Sequence, residues 1–284
     1  MAKYARLRQR VGDELPAVVL REAPAASDDE LLLAHDAGYV QRVIGGSLST
    51  AEQRAIGFPW SPAMVERSRR SVGATLAACR VAAAEGVAVN LAGGTHHARH
   101  DSGHGFCVFN DVAVAARALC RADAGARVAI VDLDVHQGDG TASILGAEAR
   151  VFTLSLHGSR NYPARKVDGH LDVGLPDGAG DAEYLAALDD ALAQLRARFA
   201  PNFVIYLAGA DPHEGDRLGR LRLTFDGLRA RDERVFALAA RLSAPVAVTM
   251  AGGYGYEIED TVQVHLNTVA AALDHWRRCA AGAG

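Results

Sequence analysis

Lysine is almost absent from this 284-residue chain. Of the 30 basic residues, only Lys3 and Lys166 are lysines, and all the others are arginines. The formal net charge is −4, so the chain offers no general attraction to nucleic acid or to an anionic membrane surface. We therefore expect neither a nucleic acid nor a membrane as a direct partner.

The chain also has few cysteines and no long hydrophobic run. The cysteines are scattered and contain no C-x-x-C pair; they are Cys79, Cys107, Cys120 and Cys279. This pattern excludes a disulfide framework, and a reducing cytoplasm is the simplest location to expect. The sequence shows no membrane-spanning segment and no signal-peptide pattern, and it is polar from its first residues.

Hydrophobic residues make up 49% of the chain, which is enough for a substantial core. Short apolar runs alternate with helical patterns, and each run is continuous rather than alternating. This predicts an α/β fold in one domain, residues 1–284, with an open parallel sheet and helices on both faces. Strands are predicted at 87–91, 127–133, 150–156, 203–208 and 246–250. Helices are predicted at 2–12, 28–44 (one or two), 61–86, 111–120, 181–199, 225–242 and 257–280, with a loop from 157 to about 180.

The most informative stretch is VDLDVHQGDG, at residues 131–140. Carboxylates and an imidazole at the end of a buried strand are unfavourable unless something pairs with them. Side chains two apart on a strand share a face, so Asp132, Asp134 and His136 are expected to converge. Such a group suits a divalent cation. For an isolated stretch, a solvated polar strand end would be the better interpretation.

Three other predicted strands end in similar polar clusters. Residues 92–97 (AGGTHH), 209–211 (GAD) and 251–254 (AGGY) each follow directly on a strand. Open parallel sheets place their sites at the carboxyl ends of the strands. The four clusters together therefore predict an active site at this edge.

Asp134, His136 and Asp211 are the candidate metal ligands. Three protein ligands leave one position for water or substrate, which is typical of a catalytic rather than a structural metal site. A bound metal would lower the pKa of water toward roughly 7 and polarise a carbonyl. Zn²⁺ is the default, and Fe²⁺ is an alternative because the ligand set contains no thiolate.

The remaining candidates are two histidines, two carboxylates and a tyrosine. Asp132 and Asp139 are available to orient His96 and His97 for general acid–base work, although a histidine pair can also be structural. Tyr254 is a candidate donor to an oxyanion, although it could equally be a half-buried tyrosine with a satisfied hydroxyl. Assembled, these residues predict metal-assisted hydrolysis of an amide.

Several segments resemble the histone deacetylase and acetylpolyamine amidohydrolase family of the arginase–deacetylase superfamily. The matching segments, in family order, are 93–97 (GGTHH), 105–111 (GFCVFND), 132–141 (DLDVHQGDGT), 208–211 (AGAD) and 252–254 (GGY). The short GGY and the stretch 161–166 (NYPARK) look most similar to class IV members and their bacterial relatives.

The resemblance implies roles for individual residues. It implies zinc on Asp134, His136 and Asp211, the pairs His96–Asp132 and His97–Asp139, and Tyr254 as the oxyanion donor. It also implies a narrow substrate tunnel formed by Gly105, Phe106, Tyr162, Gly252 and Gly253, with Leu218 at its deeper end. Members of this family often bind K⁺, which the backbone around Asp132, Asp134, His136 and Ser155 would hold here.

The chain departs from the family pattern in two places. Gln137 stands where many relatives carry a second histidine, and we expect little effect because this position is not a ligand. Relatives usually begin with a strand and a loop that borders the site. The present sequence starts just after that segment, which leads us to expect a missing N-terminal strand and one missing wall of the site.

The preferred function is a zinc-dependent deacylase acting on acyl-lysine in a protein or on a small acylated amine. One alternative is an acyl-lysine-binding module with an impaired site, which the short N-terminus favours. A less favoured alternative is an arginase-like ureohydrolase with two metals, which would need more carboxylate ligands. His213, two residues after Asp211, stands where a further aspartate would be required.

Overall fold

The computed structural model describes residues 2–282, which contain one six-stranded sheet and its covering helices. The strands are β1 (Val87–Asn90), β2 (Val128–Asp132), β3 (Val151–Gly158), β4 (Leu171–Leu175), β5 (Phe203–Leu207) and β6 (Val246–Thr249). The helices are α1 (Ala2–Glu14), α2 (Asp28–Leu31), α3 (Ala37–Gly45), α4 (Thr50–Ile56), α5 (Pro62–Glu85), α6 (Asp111–Ala122), α7 (Asp139–Leu145), α8 (Asp181–Arg198), α9 (Phe225–Leu242) and α10 (Ile258–Gly282).

The strand order is β1-β6-β5-β2-β3-β4, and every pairing is parallel. Strands β2, β5 and β6 are buried along their whole length. Successive side chains alternate between two cores, as strand geometry requires. In β2, Val131 packs with α8, α9 and α10, whereas Ile130 packs with α5 and α6. The predicted α/β architecture, with helices on both faces of a parallel sheet, is confirmed.

Three elements were not predicted. Strand β4 lies at the edge of the sheet, within the segment expected to be a loop, and only its last residue is buried. Helix α7 begins at Asp139, within the polar cluster, and the sequence there shows no helical spacing of apolar residues. Helix α4 follows a capping box in which Ser49 and Glu52 each bond to the backbone of the other, a signal that the sequence did contain.

The region predicted as one or two helices over 28–44 contains two short ones. Ser27 caps α2 and Asp36 caps α3 with their side chains. Among residues 2–282, β1 is the first strand along the chain and α1 precedes it. Over the same residues, no helix combines the length and the apolar character needed to cross a membrane.

Candidate active site

The three candidate metal ligands meet at the carboxyl edge of the sheet. One side-chain ligand atom from each of Asp134, His136 and Asp211 lies within 4.8 Å of the other two. Asp134 and His136 follow β2 and Asp211 follows β5, and these strands are neighbours. Asp132 is not in this group, so the expected convergence of Asp132, Asp134 and His136 through strand alternation is wrong.

The physical reason is that β2 ends at Asp132. Beyond it the backbone N–H of Asp134 donates to Asp132 Oδ1 over 3.2 Å, and the N–H of His136 donates to Asp134 Oδ1 over 2.9 Å. These side chain-to-backbone bonds make a turn in place of an extended strand. The turn directs Asp134 and His136 to the ligand group and leaves Asp132 facing the histidine pair.

The local structure fits a divalent cation. Asp211 Oδ2 is buried and has no hydrogen-bond partner, although His136 Nδ1 lies 3.3 Å from it and 3.0 Å from Asp134 Oδ1. A Cβ at Gly252 would lie only 2.0 Å from Asp211 Oδ2, so glycine keeps this space open. Two buried carboxylates around one imidazole nitrogen form the O/N/O donor set of a catalytic metal site.

The pKa values at this site show how strongly it favours a positive charge. Burial alone lowers the pKa of His136, but its hydrogen bond to Asp134 and the negative charges of Asp211 and Asp134 raise it to about 10. Burial and the charge of Asp134 raise the pKa of Asp211 to about 7. A divalent cation would satisfy the same two carboxylates in place of the proton on His136.

The histidine pair lies beside the ligand group, and each ring has its own carboxylate. His96 Nδ1 lies 2.7 Å from Asp132 Oδ2, and His97 Nδ1 lies 2.7 Å from Asp139 Oδ1. All four side chains are buried. Arg99 also donates to Asp139, through Nη2 over 2.9 Å. Each carboxylate therefore fixes the orientation of one imidazole.

The loop that carries the two histidines is held by a network that the sequence reasoning did not identify. Asp111, the first residue of α6, accepts hydrogen bonds from the N–H groups of Gly94 and Thr95 over 2.9 and 2.7 Å. Asn110 caps α6 and its amide also donates to the carbonyl of His96. The available signal was the Asn-Asp pair at the start of an apolar helix.

Tyr254 is half-buried in the loop after β6. Its N–H donates to Asp216 Oδ2 over 2.6 Å, and its ring lies 5.9 Å from that of Phe106. Burial raises the pKa of the Tyr254 hydroxyl, so the phenol keeps its proton at neutral pH. A protonated phenol can donate a hydrogen bond to a developing oxyanion.

Three of the candidate tunnel residues are partly exposed, and we refer to them as the mouth. Phe106, Tyr162 and Leu218 are 46%, 45% and 46% exposed. Such exposure does not fit the deeper end of the tunnel, where we expected Leu218. Tyr162 stands edge-on to His97 at 4.8 Å, and a Cβ at Gly105 would lie 2.6 Å from the same imidazole.

A cavity of about 1150 Å³ adjoins this mouth and is lined by Phe106, Tyr254 and Gly253, together with residues of α1 and α5. Cys107 is buried, and burial raises the pKa of its thiol, which argues against a role as nucleophile.

Both lysines of the chain donate hydrogen bonds to backbone carbonyls in loops that carry candidate site residues. Lys3 Nζ donates to the carbonyls of Gly253 and Ala251 over 3.2 and 3.4 Å and lies 5.3 Å from the centre of the Tyr254 ring. Lys166 Nζ donates to the carbonyl of Pro163 over 2.8 Å, in the loop of Tyr162. The sequence shows that lysine is rare but does not reveal these contacts, and that of Lys3 joins segments about 250 residues apart.

Comparisons with known proteins point to one family. A family model described as a histone deacetylase domain matches residues 2–270. An uncharacterised protein of Picosynechococcus is 43% identical over 244 residues, which cover 86% of this chain and 81% of that protein. A histone deacetylase-like amidohydrolase of Pseudomonas aeruginosa is 33% identical over 253 residues, covering 83% of this chain and 66% of the relative. A crystal structure of an HDAC homolog complexed with SAHA superposes with a TM-score of 0.81 and 27% identity, over 94% of this chain and 77% of that one.

Proposed function

This chain belongs to the histone deacetylase domain family, a family of hydrolytic enzymes, and we propose that it is a metal-dependent deacylase. It would hydrolyse the amide of an acyl-lysine, with acetyl-lysine as the first choice, or of a related acylated amine. The observation that supports the proposal is that three candidate metal ligands share an edge of the sheet with two carboxylate-paired histidines and a tyrosine whose pKa is raised.

Asp134, His136 and Asp211 would hold the metal, and we propose Zn²⁺, with Fe²⁺ as the alternative. The bound metal would supply Lewis acidity, which lowers the pKa of water and polarises the substrate carbonyl. A K⁺ ion on the backbone around Asp132, Asp134, His136 and Ser155 remains part of the proposal.

The two histidines would have different roles. Burial and the charge of His96 lower the pKa of His97 to about 4, so this imidazole is neutral at pH 7 and can accept a proton from water. Burial lowers the pKa of His96, but the charges of Asp132 and Asp134 outweigh burial and raise it to about 9. His96 would therefore stay protonated and stabilise negative charge, and the proton taken by His97 would pass to the leaving amine.

Tyr254 would donate its hydroxyl proton in a hydrogen bond to the carbonyl oxygen as that oxygen gains charge. Phe106 and Tyr162 would flank the aliphatic part of the acyl-lysine side chain at the mouth. Gly105, Gly252 and Gly253 would keep the backbone close enough for a narrow passage.

The structure bears on both alternatives. Among residues 2–282, the side chains of Asp134, His136 and Asp211 form a single candidate metal group, whereas an arginase-like site needs two metals. His213 accepts a hydrogen bond from the N–H of Gly215 and packs on Phe225, away from any second group. A binding module without activity would not require both carboxylate-paired histidines and the tyrosine together.

We propose the cytoplasm as the location, because Cys79, Cys107, Cys120 and Cys279 are all free thiols and a reducing compartment would keep them so.

The test is hydrolysis of three matched substrates: an acetyl-lysine peptide, the same peptide with a long acyl chain, and an acetylpolyamine. Metal-loaded wild-type protein is compared with Asp134→Ala and Tyr254→Phe. The proposal expects turnover of at least one substrate by the wild type and its loss in both variants. Metal binding without turnover of any substrate would favour the binding module instead.

A further inference from the structure

Arg231, on α9, is completely buried beneath the loops that carry the metal ligands. Its Nη1 atom donates to the carbonyl of Gly209 over 2.5 Å and approaches the carbonyl of Leu133 at 3.4 Å. Leu133 directly precedes Asp134, and Gly209 lies two residues before Asp211. One guanidinium therefore spans the backbones of both ligand loops.

The positive charge of Arg231 is balanced by Asp232, which is not one of the candidate metal ligands. Asp232 Oδ1 accepts from Arg231 Nε and Nη2 over 3.0 and 2.8 Å and from the Tyr206 hydroxyl over 2.6 Å. Asp232 Oδ2 accepts from the Thr268 hydroxyl over 2.6 Å. The carboxylate thus holds the side of the guanidinium that faces away from the loops, which leaves Nη1 directed at the two carbonyls.

A buried ion pair is weak evidence for stability, because an apolar pair of similar volume is often as stable. The position of Arg231 offers a more specific explanation. Outside the sheet, the ligand loops are joined by the bond from the Val135 N–H to Asp211 Oδ1, over 2.9 Å. That bond joins the loops through a ligand side chain, whereas Arg231 joins them through their backbone carbonyls.

We propose that Arg231 is a positioning residue that sets the spacing between Asp134 and Asp211 and so tunes the affinity of the site for its metal. This inference rests on the proposed function, since it requires that the three ligands bind a metal. Arginine suits the task because its planar fork can bond to Asp232 and to the loops at once. The ammonium of a lysine is a single point charge and cannot reproduce this geometry.

The experiment measures the zinc dissociation constant of the full chain by competition with a chromophoric chelator, beside thermal unfolding of the metal-free protein. Arg231→Lys is expected to weaken zinc binding by about 10–100-fold, the usual effect of losing a residue that orients metal ligands. Thr268→Val is the matched control, because it removes a buried hydrogen bond of Asp232 without touching the carbonyl contacts. It should lower the unfolding temperature and leave zinc affinity unchanged.

A second variant covers the case in which Arg231→Lys does not fold. Arg231→Gln combined with Asp232→Asn removes both buried charges at similar volume, and it should fold yet bind zinc as weakly as Arg231→Lys. Wild-type affinity in whichever variant folds would overturn the positioning role, as would an equal loss of affinity in Thr268→Val. A wild-type protein that binds no zinc would overturn the proposed metal dependence as well, so the two failures are distinguishable.

Discussion

The ring centroids of His96 and His97 lie 4.2 Å apart, yet the pKa values of the two imidazoles move in opposite directions. The charges of Asp132 and Asp134 outweigh burial and raise the pKa of His96 to about 9, whereas burial and the neighbouring His96 charge lower the pKa of His97 to about 4. At neutral pH the pair therefore consists of one imidazolium and one neutral base. This division gives the proposed mechanism a proton acceptor and a fixed positive charge side by side.

The first prediction concerns the alkaline limb of the pH profile. Activity should fall at alkaline pH, because His96 then loses the proton that the charge of Asp132 helps it to retain. Asp132→Asn removes the largest of the effects that raise this pKa, so the limb should move to lower pH by about one unit or more. The measurement is kcat/KM against pH for zinc-saturated protein. An alkaline limb that stays in place in Asp132→Asn would show that another group titrates there.

The second prediction concerns Tyr254. Replacing it with phenylalanine removes a single donor to the oxyanion and should lower kcat by about 10²–10³-fold. Metal content and unfolding temperature should not change. Tyr256→Phe is the matched control, since Tyr256 is two residues away and mostly exposed. Equal losses of kcat in both variants would show that the conformation of the loop, not the Tyr254 hydroxyl, determines the rate.

The third prediction concerns Lys3, which bonds to the carbonyls of Gly253 and Ala251 beneath the Tyr254 ring. Lys3→Met keeps the length of the side chain but removes the donors. Losing charge-assisted hydrogen bonds of about 1.5 kcal/mol should lower kcat/KM by about tenfold. Arg8→Met, at an exposed position of the same helix, provides the comparison and should behave as wild type. Wild-type kinetics in Lys3→Met would mean that the loop holds Tyr254 unaided.

The fourth prediction concerns stability in acid. His35 donates through Nδ1 to the carbonyl of Arg99 and accepts through Nε2 from the N–H of Asn110, so the fold requires its neutral form. Burial lowers its pKa from 6.5 to about 4. The stabilisation is complete above about pH 6.5 and is lost as pH falls toward 4, because the unfolded chain gains the proton first. This difference between the pKa values of His35 in the folded and unfolded chain corresponds to a loss of roughly 3 kcal/mol in the free energy of unfolding.

Urea unfolding between pH 4.5 and 7.5 measures this effect. His35→Gln, which stays neutral, should lose stability at pH 7.5 but show a shallower decline in acid than the wild type. Parallel declines in the two proteins would assign the acid sensitivity to other buried histidines, such as His157.

The fold was largely predictable because five strands are continuous apolar runs buried by helices on both faces. Strand β4 was not, since it lies at the edge and alternates between partly buried and exposed residues, with a glycine among them. Helix α7 was also missed, because its first residue is an aspartate that belongs to the site.

The site residues could be predicted where functional side chains come shortly after predicted strands. Asp134, His136, Asp211, the histidine pair and Tyr254 all follow parallel strands, and the topology brings those ends together. The supporting contacts could not be predicted. Arg231 and Lys3 each bond to backbone carbonyls far away in the sequence, and no local pattern identifies a carbonyl as a partner.

The central claim is that the ligand group binds a metal on which hydrolysis of an acyl amide depends. The most direct test strips the protein with a chelator, restores zinc in steps, and follows hydrolysis of an acetyl-lysine peptide together with bound zinc. The account predicts no turnover without metal, recovery that is complete at one zinc per chain, and no recovery in Asp211→Ala. Full turnover by the stripped protein, or equal recovery in Asp211→Ala, would contradict it.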